Sequence, residues 1–248
     1  MEKSISKKGD IMKAMIFSAG LGTRFKPWTN KHPKALALIN GKPLLQRNIE
    51  YLQKYNIYDV IVNVHHFADE VIAAIEESKG WGSNIIISEE KDEVLETGGG
   101  LLKVKDLLSD DTFLTINVDI LTEINLKYFL AHHQQQNAVI TVAVSERETS
   151  RYLLFNKYNR LVGWRNTATG DEKIVIEAKD IFPKAFSGLA IWEPEVFDMI
   201  TLTGKFSVID VLLALAPQNK IAAFDHTGEK IIDVGKPESV ARAEQMFS

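Results

Sequence analysis

The 248-residue sequence contains no cysteine, which excludes disulfides, thiolate catalysis and cysteine-ligated zinc. It also lacks any apolar run near the ~18 residues of a membrane-spanning helix. The polar start, residues 1–11, has no apolar core and is not typical of a secretion signal. The formal net charge is −4, so no basic excess indicates nucleic acid or a membrane surface as a partner. These absences fit a cytoplasmic protein.

Strand-like and helix-like segments alternate from residue 13 to about residue 145. Short apolar runs predict buried strands at residues 13–19, 59–64, 84–88, 112–118 and 138–144. Apolar residues at helical spacing predict helices at residues 43–55, 68–78, 99–108 and 125–135. This alternation predicts an α/β fold with a mixed, mainly parallel sheet flanked by helices. In such folds, ligands bind at the carboxyl ends of the strands.

The alternation breaks down after Ser145. Residues 151–166 predict a small hairpin, whose turn lies near residues 158–160. Further strands are predicted at residues 186–192, 220–224 and 230–234, with helices at residues 207–216 and 236–247. No repeat or linker is evident. We therefore expect residues 13–248 to form a single domain with an insertion near residues 146–185, preceded by a flexible extension at residues 1–12.

A glycine-containing segment, FSAGLGTRFKPWTNKHPKAL at residues 17–36, follows the first predicted strand. Gly20 and Gly22 allow a ligand to approach the backbone closely, and Arg24 and Lys34 supply cations that suit phosphate oxygens. The P-loop pattern is absent, and the dinucleotide pattern G-x-G-x-x-G lacks its third glycine. Taken alone, the glycine pair leaves a phosphate-binding loop and a plain strand-to-helix turn as equal alternatives.

GLGTRFKP at residues 20–27 and HPKAL at residues 32–36 together resemble the signature of sugar-1-phosphate nucleotidylyltransferases. That signature is close to G-x-G-[TS]-R, a short spacer, and P-K-P-L; Ala35 replaces its second proline. The resemblance extends from about residue 13 to residue 247. It implies the nucleotide-diphospho-sugar transferase fold, without the C-terminal β-helix of larger members.

The resemblance implies a nucleotide site built from two segments. LETGGG at residues 95–100 is similar to the base-reading segment of the family. Physically, glycines at a helix start expose amides that can bond base carbonyls or an anion, and a flexible helix start is the alternative. Lys34 is implied at the α-phosphate and Arg24 at the leaving phosphates, as the catalytic cations. The implied nucleotide-binding residues are Ala19, Gly20, Leu21, Gly22, Thr23, Glu96, Thr97 and Gly98.

Two carboxylates are the implied metal ligands. NVDILTE at residues 117–123 and IIDVGKPESV at residues 231–240 resemble two further family segments, which assign Asp119 and Asp233 to Mg²⁺. A carboxylate at a strand end suits Mg²⁺, because this ion takes few protein carboxylates and shares phosphate oxygens.

The paired histidines, His65-His66 and His132-His133, are the other candidate metal ligands. Adjacent side chains on a strand point to opposite faces, so neither pair forms a natural chelate. We interpret all four as structural or surface residues.

The sugar site is implied by FSGLAIW at residues 186–192, which resembles the segment that lines the sugar pocket. This similarity assigns Ser187 and Gly188 to sugar binding, together with Asn117. Many members carry a Glu-Lys pair before this strand, and the lysine meets the sugar phosphate. Here the region reads GWRN, so Arg165 is the expected cation, and the identity of the sugar stays open.

The short chain and its motifs resemble most the N-acetylmuramate-1-phosphate uridylyltransferases of cell-wall recycling. The implied partners are a nucleoside triphosphate, favouring UTP, and a sugar 1-phosphate; a monomer is expected. Mannose-1-phosphate guanylyltransferases and glucose-1-phosphate thymidylyl- or uridylyltransferases are the alternatives. A choline-phosphate cytidylyltransferase shares the same start. A non-catalytic nucleotide-sugar-binding regulatory subunit is the alternative of another class.

Overall fold

The computed structural model describes residues 13–248, which contain fourteen strands and eight α-helices. The predicted extension at residues 1–12 lies outside the described residues. The strands are β1 Lys13–Phe17, β2 Leu38–Ile39, β3 Lys42–Pro43, β4 Asp59–Val64, β5 Asn84–Glu89, β6 Phe113–Asn117, β7 Ile120–Thr122, β8 Ile140–Ser145, β9 Arg151–Asn156, β10 Leu161–Asn166, β11 Asp171–Ile174, β12 Ile181–Trp192, β13 Ile221–Asp225 and β14 Ile231–Asp233. The helices are α1 Leu44–Gln53, α2 Ala68–Glu77, α3 Glu96–Lys103, α4 Lys105–Leu108, α5 Leu126–Gln136, α6 Val196–Met199, α7 Val208–Leu215 and α8 Ser239–Met246. Among these helices, none is both long and apolar enough to cross a membrane.

The central sheet has the strand order β5-β4-β1-β6-β12-β8-β13 and is mainly parallel. Among its described strands, β12 alone runs antiparallel to its neighbours, β6 and β8. Phe17 at the end of β1 stands opposite Asn63 of β4 and Asn117 of β6, so three strands end at one edge. The predicted α/β fold with a mixed, mainly parallel sheet is confirmed. Along the chain, β4 pairs with one edge of β1 and β6 later pairs with the other. In folds of this kind, such a change of side leaves a crevice at the carboxyl ends of the strands, and ligands bind there.

The first half of β12 leaves the central sheet and pairs with β9, which continues through β10 to β11. These strands form the antiparallel part of the fold, and the hairpin predicted at residues 151–166 is present as β9 and β10. The pairing of β9 and β10 shifts register between Leu161 and Gly163. This irregularity decides which side chains of β10 face each side of the sheet.

The sheet is buried on both faces, because its strands alternate between two cores. Ile16 of β1 is fully buried in the core that contains Leu44 of α1 and Phe129 of α5. Met15 is fully buried in the opposite core, with Leu101 of α3 and Leu212 of α7. This double covering is why β1 is an almost continuous apolar run rather than an alternating one.

Two histidines are buried and hydrogen-bonded inside the fold. His133, near the end of α5, contacts Thr141 Oγ1 at 2.7 Å and Glu193 Oε1 at 2.9 Å. His226 Nε2 lies 2.7 Å from the hydroxyl of Ser187. Burial lowers the pKa of both imidazoles, because the charged form would lose its water; the Glu193 carboxylate opposes this for His133. Both histidines are therefore neutral parts of the packing at pH 7.

We expect the free energy of unfolding to fall as the pH drops from 7 to 5. The folded pKa values of His133 and His226 lie below the ordinary 6.5, so the unfolded chain binds protons first. The stability from these groups is therefore fully present above about pH 6.5 and is lost below it. For each extra proton that the unfolded state binds, the free energy of unfolding falls by about 1.4 kcal/mol per unit decrease in pH.

Urea unfolding at several pH values measures this slope. His226→Asn is expected to flatten it, whereas His66→Asn, at an exposed histidine, serves as the matched control. The explanation is wrong if the His226 variant keeps the wild-type slope.

Candidate active site

A cleft of about 450 Å³ lies at the carboxyl ends of β1 and β6. It contains the glycine segment after β1, and both strands direct their last residues into it. Seven of the eight predicted nucleotide-binding residues line this first cleft, residues 19–23 together with Glu96 and Thr97. The full lining is residues 17–23, Lys34, Asn63, Val94, Glu96, Thr97, residues 117–119 and Lys205.

The segment after β1 is a fixed loop. Gly22 has a left-handed backbone, with φ of 59°, and its carbonyl accepts hydrogen bonds from Thr29 Oγ1 and the Phe25 amide, both at 2.8 Å. A side chain at Gly22 would come within 2.8 Å of Thr29 Cγ2. The chain then passes through three 3-10 turns before α1 begins. The segment is therefore longer and more ordered than a plain strand-to-helix turn, and its role as a phosphate-binding loop stays a prediction.

Asp119 and Asp233 come together through the short ribbon of β7 and β14. Ile120 stands opposite Asp233 in this antiparallel pair, and the Val234 amide donates to the Asp119 carbonyl at 2.8 Å. Lys34 forms an ion pair with Asp119, and their side chains are only 11% and 16% exposed. Three of the predicted catalytic and metal-binding residues therefore meet at one place.

Asp233 is a carboxylate with one unsatisfied oxygen. Its Oδ1 is buried and has no hydrogen-bond partner among the described residues. Burial, and then the negative charge of Asp119, raise its pKa, while Lys34, Arg24 and Arg147 oppose this. No group of three or more His, Asp or Glu side chains that could hold a metal occurs in residues 13–248. The pair therefore suits a cation that takes few protein carboxylates and completes its shell with phosphate oxygens and water, as Mg²⁺ does.

Arg24 lies beside this carboxylate pair because Gly235 leaves room for it. A Cβ atom at Gly235 would be 2.5 Å from Asp233 Oδ1 and 3.1 Å from Arg24 Nη2. Arg24 also lines a second cleft, of about 520 Å³, with Asp233 at one side. Lys34 and Asp119 line the first cleft, so the cations and carboxylates form the boundary between the two.

The second cleft combines aromatic and basic side chains. Tyr152, Trp164 and Phe186 provide aromatic surface. A third cleft, of about 620 Å³, shares Arg147, Asp233 and Lys236 with the second. The second cleft is lined by Arg24, Arg147, residues 149–153, Trp164, Phe186, Ile209, Asp233 and Lys236.

The glycines of LETGGG pack against another loop. The amides of Gly98 and Gly99 donate to the Phe206 carbonyl, at 2.9 and 3.1 Å, so they are not free for a base as the sequence suggested. A Cβ at Gly98 would lie 2.5 Å from the Phe206 ring. Gly98 does not reach the first cleft; the absence of side chains there lets the chain before α7 sit on α3.

The four predicted sugar-binding residues separate in the structure. Asn117 lines the first cleft. Gly188 packs next to it: a Cβ atom placed on Gly188 would lie 3.0 Å from Asn117 Nδ2. Ser187 is fully buried against His226 and lines none of the three clefts.

Arg165 forms an ion pair with Glu172 of β11 and lines none of the three clefts either. Successive side chains on a strand point to opposite faces, and here Trp164 is the one that faces the second cleft. The structure places Arg147, rather than Arg165, beside Asp233.

A buried carboxylate behind the first cleft was not identified from the sequence. Glu90 is 2% exposed; its two oxygens accept from Asn63 Nδ2 at 2.7 Å and from the Leu95 amide at 2.8 Å. Asn63 Oδ1 in turn accepts from the Ser18 amide at 2.7 Å. This network ties the glycine loop to the LETGGG segment. The only sign of this network in the sequence was a polar residue at the end of each of two apolar strands.

Residues 13–247 match the family described as nucleotidyl transferase. The chain is 29% identical to an N-acetylmuramate alpha-1-phosphate uridylyltransferase of Caulobacter vibrioides, over 93% of this chain and 95% of that protein. It is 30% identical to the protein of the same description in Neisseria meningitidis, over 90% and 93% of the two chains. HddC from Yersinia pseudotuberculosis, solved with GMP-PN, has a similar fold, with a TM-score of 0.77 at 23% identity, covering 96% of this chain and all of that one.

Gly98→Ala is expected to lower the free energy of unfolding by about 1–3 kcal/mol, a cost typical of overpacking. The new methyl group would lie 2.5 Å from the Phe206 ring and 2.7 Å from the Ser207 carbonyl. Urea unfolding followed by circular dichroism measures the change. Gly20→Ala is the matched control, because nothing lies within 4 Å of its Cβ position. Equal stability of the two variants would contradict the packing role.

Proposed function

The chain belongs to the nucleotidyl transferase family, and we propose that it transfers a uridylyl group from UTP to N-acetylmuramate 1-phosphate and releases pyrophosphate. Two relatives that match over nearly their whole length carry this activity in their descriptions. The observation that carries the proposal is the meeting of Lys34, Asp119 and Asp233 at the boundary between two clefts. One cleft would take the nucleotide and the other the sugar, with their phosphates at this boundary.

The nucleotide would occupy the first cleft. Residues 19–23 bring backbone amides to it, and Thr23 adds a hydroxyl. Glu96 and Thr97 also line this cleft, and the base would lie beside them. The Thr97 hydroxyl already accepts from the Val208 amide at 2.9 Å, which fixes its position.

The chemistry requires charge compensation more than proton transfer. The attacking oxygen belongs to the phosphate of the sugar 1-phosphate, which is ionised near neutral pH, so no strong general base is needed. The enzyme must hold two polyanions in line and offset their charge. Lys34 would stabilise the charge that develops on the α-phosphate. Arg24 lines the second cleft and not the first, so it would hold the leaving pyrophosphate from the boundary between the two clefts.

Asp119 and Asp233 would hold Mg²⁺, which when bound supplies positive charge to the phosphates. The unpartnered Oδ1 of Asp233 and the pKa of this group, raised by burial and then by the charge of Asp119, support the assignment, because a bound cation would stabilise a carboxylate in these surroundings. Lys34 offsets part of that charge through its ion pair with Asp119.

Pyrophosphate release tests the proposal when measured over a grid of nucleoside triphosphates and sugar 1-phosphates, with Mg²⁺ and with chelator. We expect release with UTP and N-acetylmuramate 1-phosphate, abolished by the chelator. Release confined to GTP and mannose 1-phosphate would keep the reaction and overturn the substrate. Nucleotide binding without release for any pair would favour the regulatory subunit.

Lys34→Ala is expected to lower kcat by about 10²- to 10³-fold, as loss of one group that stabilises transition-state charge does. The Kd for UTP should change far less, since many backbone groups remain. Asp233→Asn should lower kcat comparably and raise the Mg²⁺ concentration required. Lys31→Ala, at an exposed lysine of the same loop, is the matched control. A Lys34 variant with normal turnover would refute its assignment.

A further inference from the structure

The second cleft carries more positive charge than the phosphate of a sugar 1-phosphate explains. Four cations line it, against the single carboxylate of Asp233. Arg24 stands next to Asp233, at the boundary where the phosphates would meet. The cations are Arg24, Arg147, Arg151 and Lys236. Asp233 and a phosphate of charge about −2 offset about three of these four positive charges, so a neutral sugar would leave about one of them without a counterpart.

Arg147 is held in place but kept free of ion pairs. Its Nη2 donates to the Phe186 carbonyl at 3.0 Å, which fixes the guanidinium where the second and third clefts meet. The adjacent carboxylate of Glu146 is engaged by Lys184 at 2.7 Å, and Lys184 also pairs with Asp225. Among the described carboxylates, none forms an ion pair with Arg147. Four of its five N–H donors therefore make no hydrogen bond within residues 13–248.

The surroundings of Arg147 suit a sugar that carries a carboxylate. Tyr152, Trp164 and Phe186 offer flat apolar faces on which a sugar ring can pack. A guanidinium matches a planar carboxylate through two parallel hydrogen bonds. Lys236 lines the same two clefts and adds a second cation.

We propose that Arg147, assisted by Lys236, binds a carboxylate on the sugar and selects acidic sugar 1-phosphates over neutral ones. The inference rests on the proposed function, since it assumes that the second cleft takes the sugar. N-acetylmuramate differs from N-acetylglucosamine by a lactyl ether that carries one carboxylate. The two sugars thus share the ring, the N-acetyl group and the phosphate, and they differ in the group that Arg147 would bind.

The test compares kcat/KM for N-acetylmuramate 1-phosphate and N-acetylglucosamine 1-phosphate in wild type and Arg147→Gln. The preference for the acidic sugar is expected to fall by about 10- to 100-fold, chiefly through KM, because a charge-assisted hydrogen bond is lost. Arg147→Lys should keep part of the preference. Arg165→Gln is the matched comparison, since that guanidinium pairs with Glu172 away from the clefts; its ratio should stay that of wild type.

Equal losses for both sugars would overturn the inference, because Arg147 would then bind the shared phosphate. Loss of preference in Arg165→Gln but not in Arg147→Gln would overturn it too. Wild type that used neither sugar would contradict the proposed function separately. Calorimetry with UDP-N-acetylmuramate and UDP-N-acetylglucosamine then decides the inference: wild type should bind the acidic one more tightly, and equal affinity or no binding would overturn it. Melting temperatures confirm that each variant is folded.

Discussion

The site depends on a backbone constraint: β7 and β14 hold two carboxylates together that would otherwise repel each other. The hydrogen bond from the Val234 amide to the Asp119 carbonyl fixes the pair, and the packing of the ribbon buries Asp233. The cost appears as a raised pKa of Asp233, caused first by burial and then by Asp119. The pairing of β7 and β14 thus holds the two carboxylates together against a repulsion that would otherwise separate them. It does so at the place where, in the proposed reaction, anionic substrates would need a cation.

The cations that offset these carboxylates come from other parts of the chain. Lys34 and Arg24 lie on the loop after β1, and Arg147 follows β8. The loop is held from behind by the Glu90 carboxylate, through Asn63 and the Ser18 amide. Glu90 lines none of the three clefts, yet through Asn63 it holds the start of the loop that carries Arg24 and Lys34. The geometry at the boundary is therefore a property of the whole sheet edge.

The sequence was sufficient for the elements whose formation is local. Apolar runs and helical spacing predicted the central strands, whereas Asp119, at the end of one of them, was assigned to the metal only by the family resemblance. The direction of the Arg165 side chain was not a local property. It depends on the register shift between Leu161 and Gly163, which sets the direction of every later side chain on β10. A similar irregularity in β12, between Phe186 and Ala190, accompanies the turn of Ser187 into the interior.

The glycines of LETGGG show a second limit of the same kind. A glycine can expose its amide or admit a neighbour, and the two uses look identical in a sequence. Here the neighbour is the Phe206 loop, brought to α3 by contacts between residues far apart in the chain. Close packing at this point also fixes Glu96 and Thr97, which begin the same helix and line the first cleft. The glycines thus act on the first cleft indirectly: they set the position of two residues that line it.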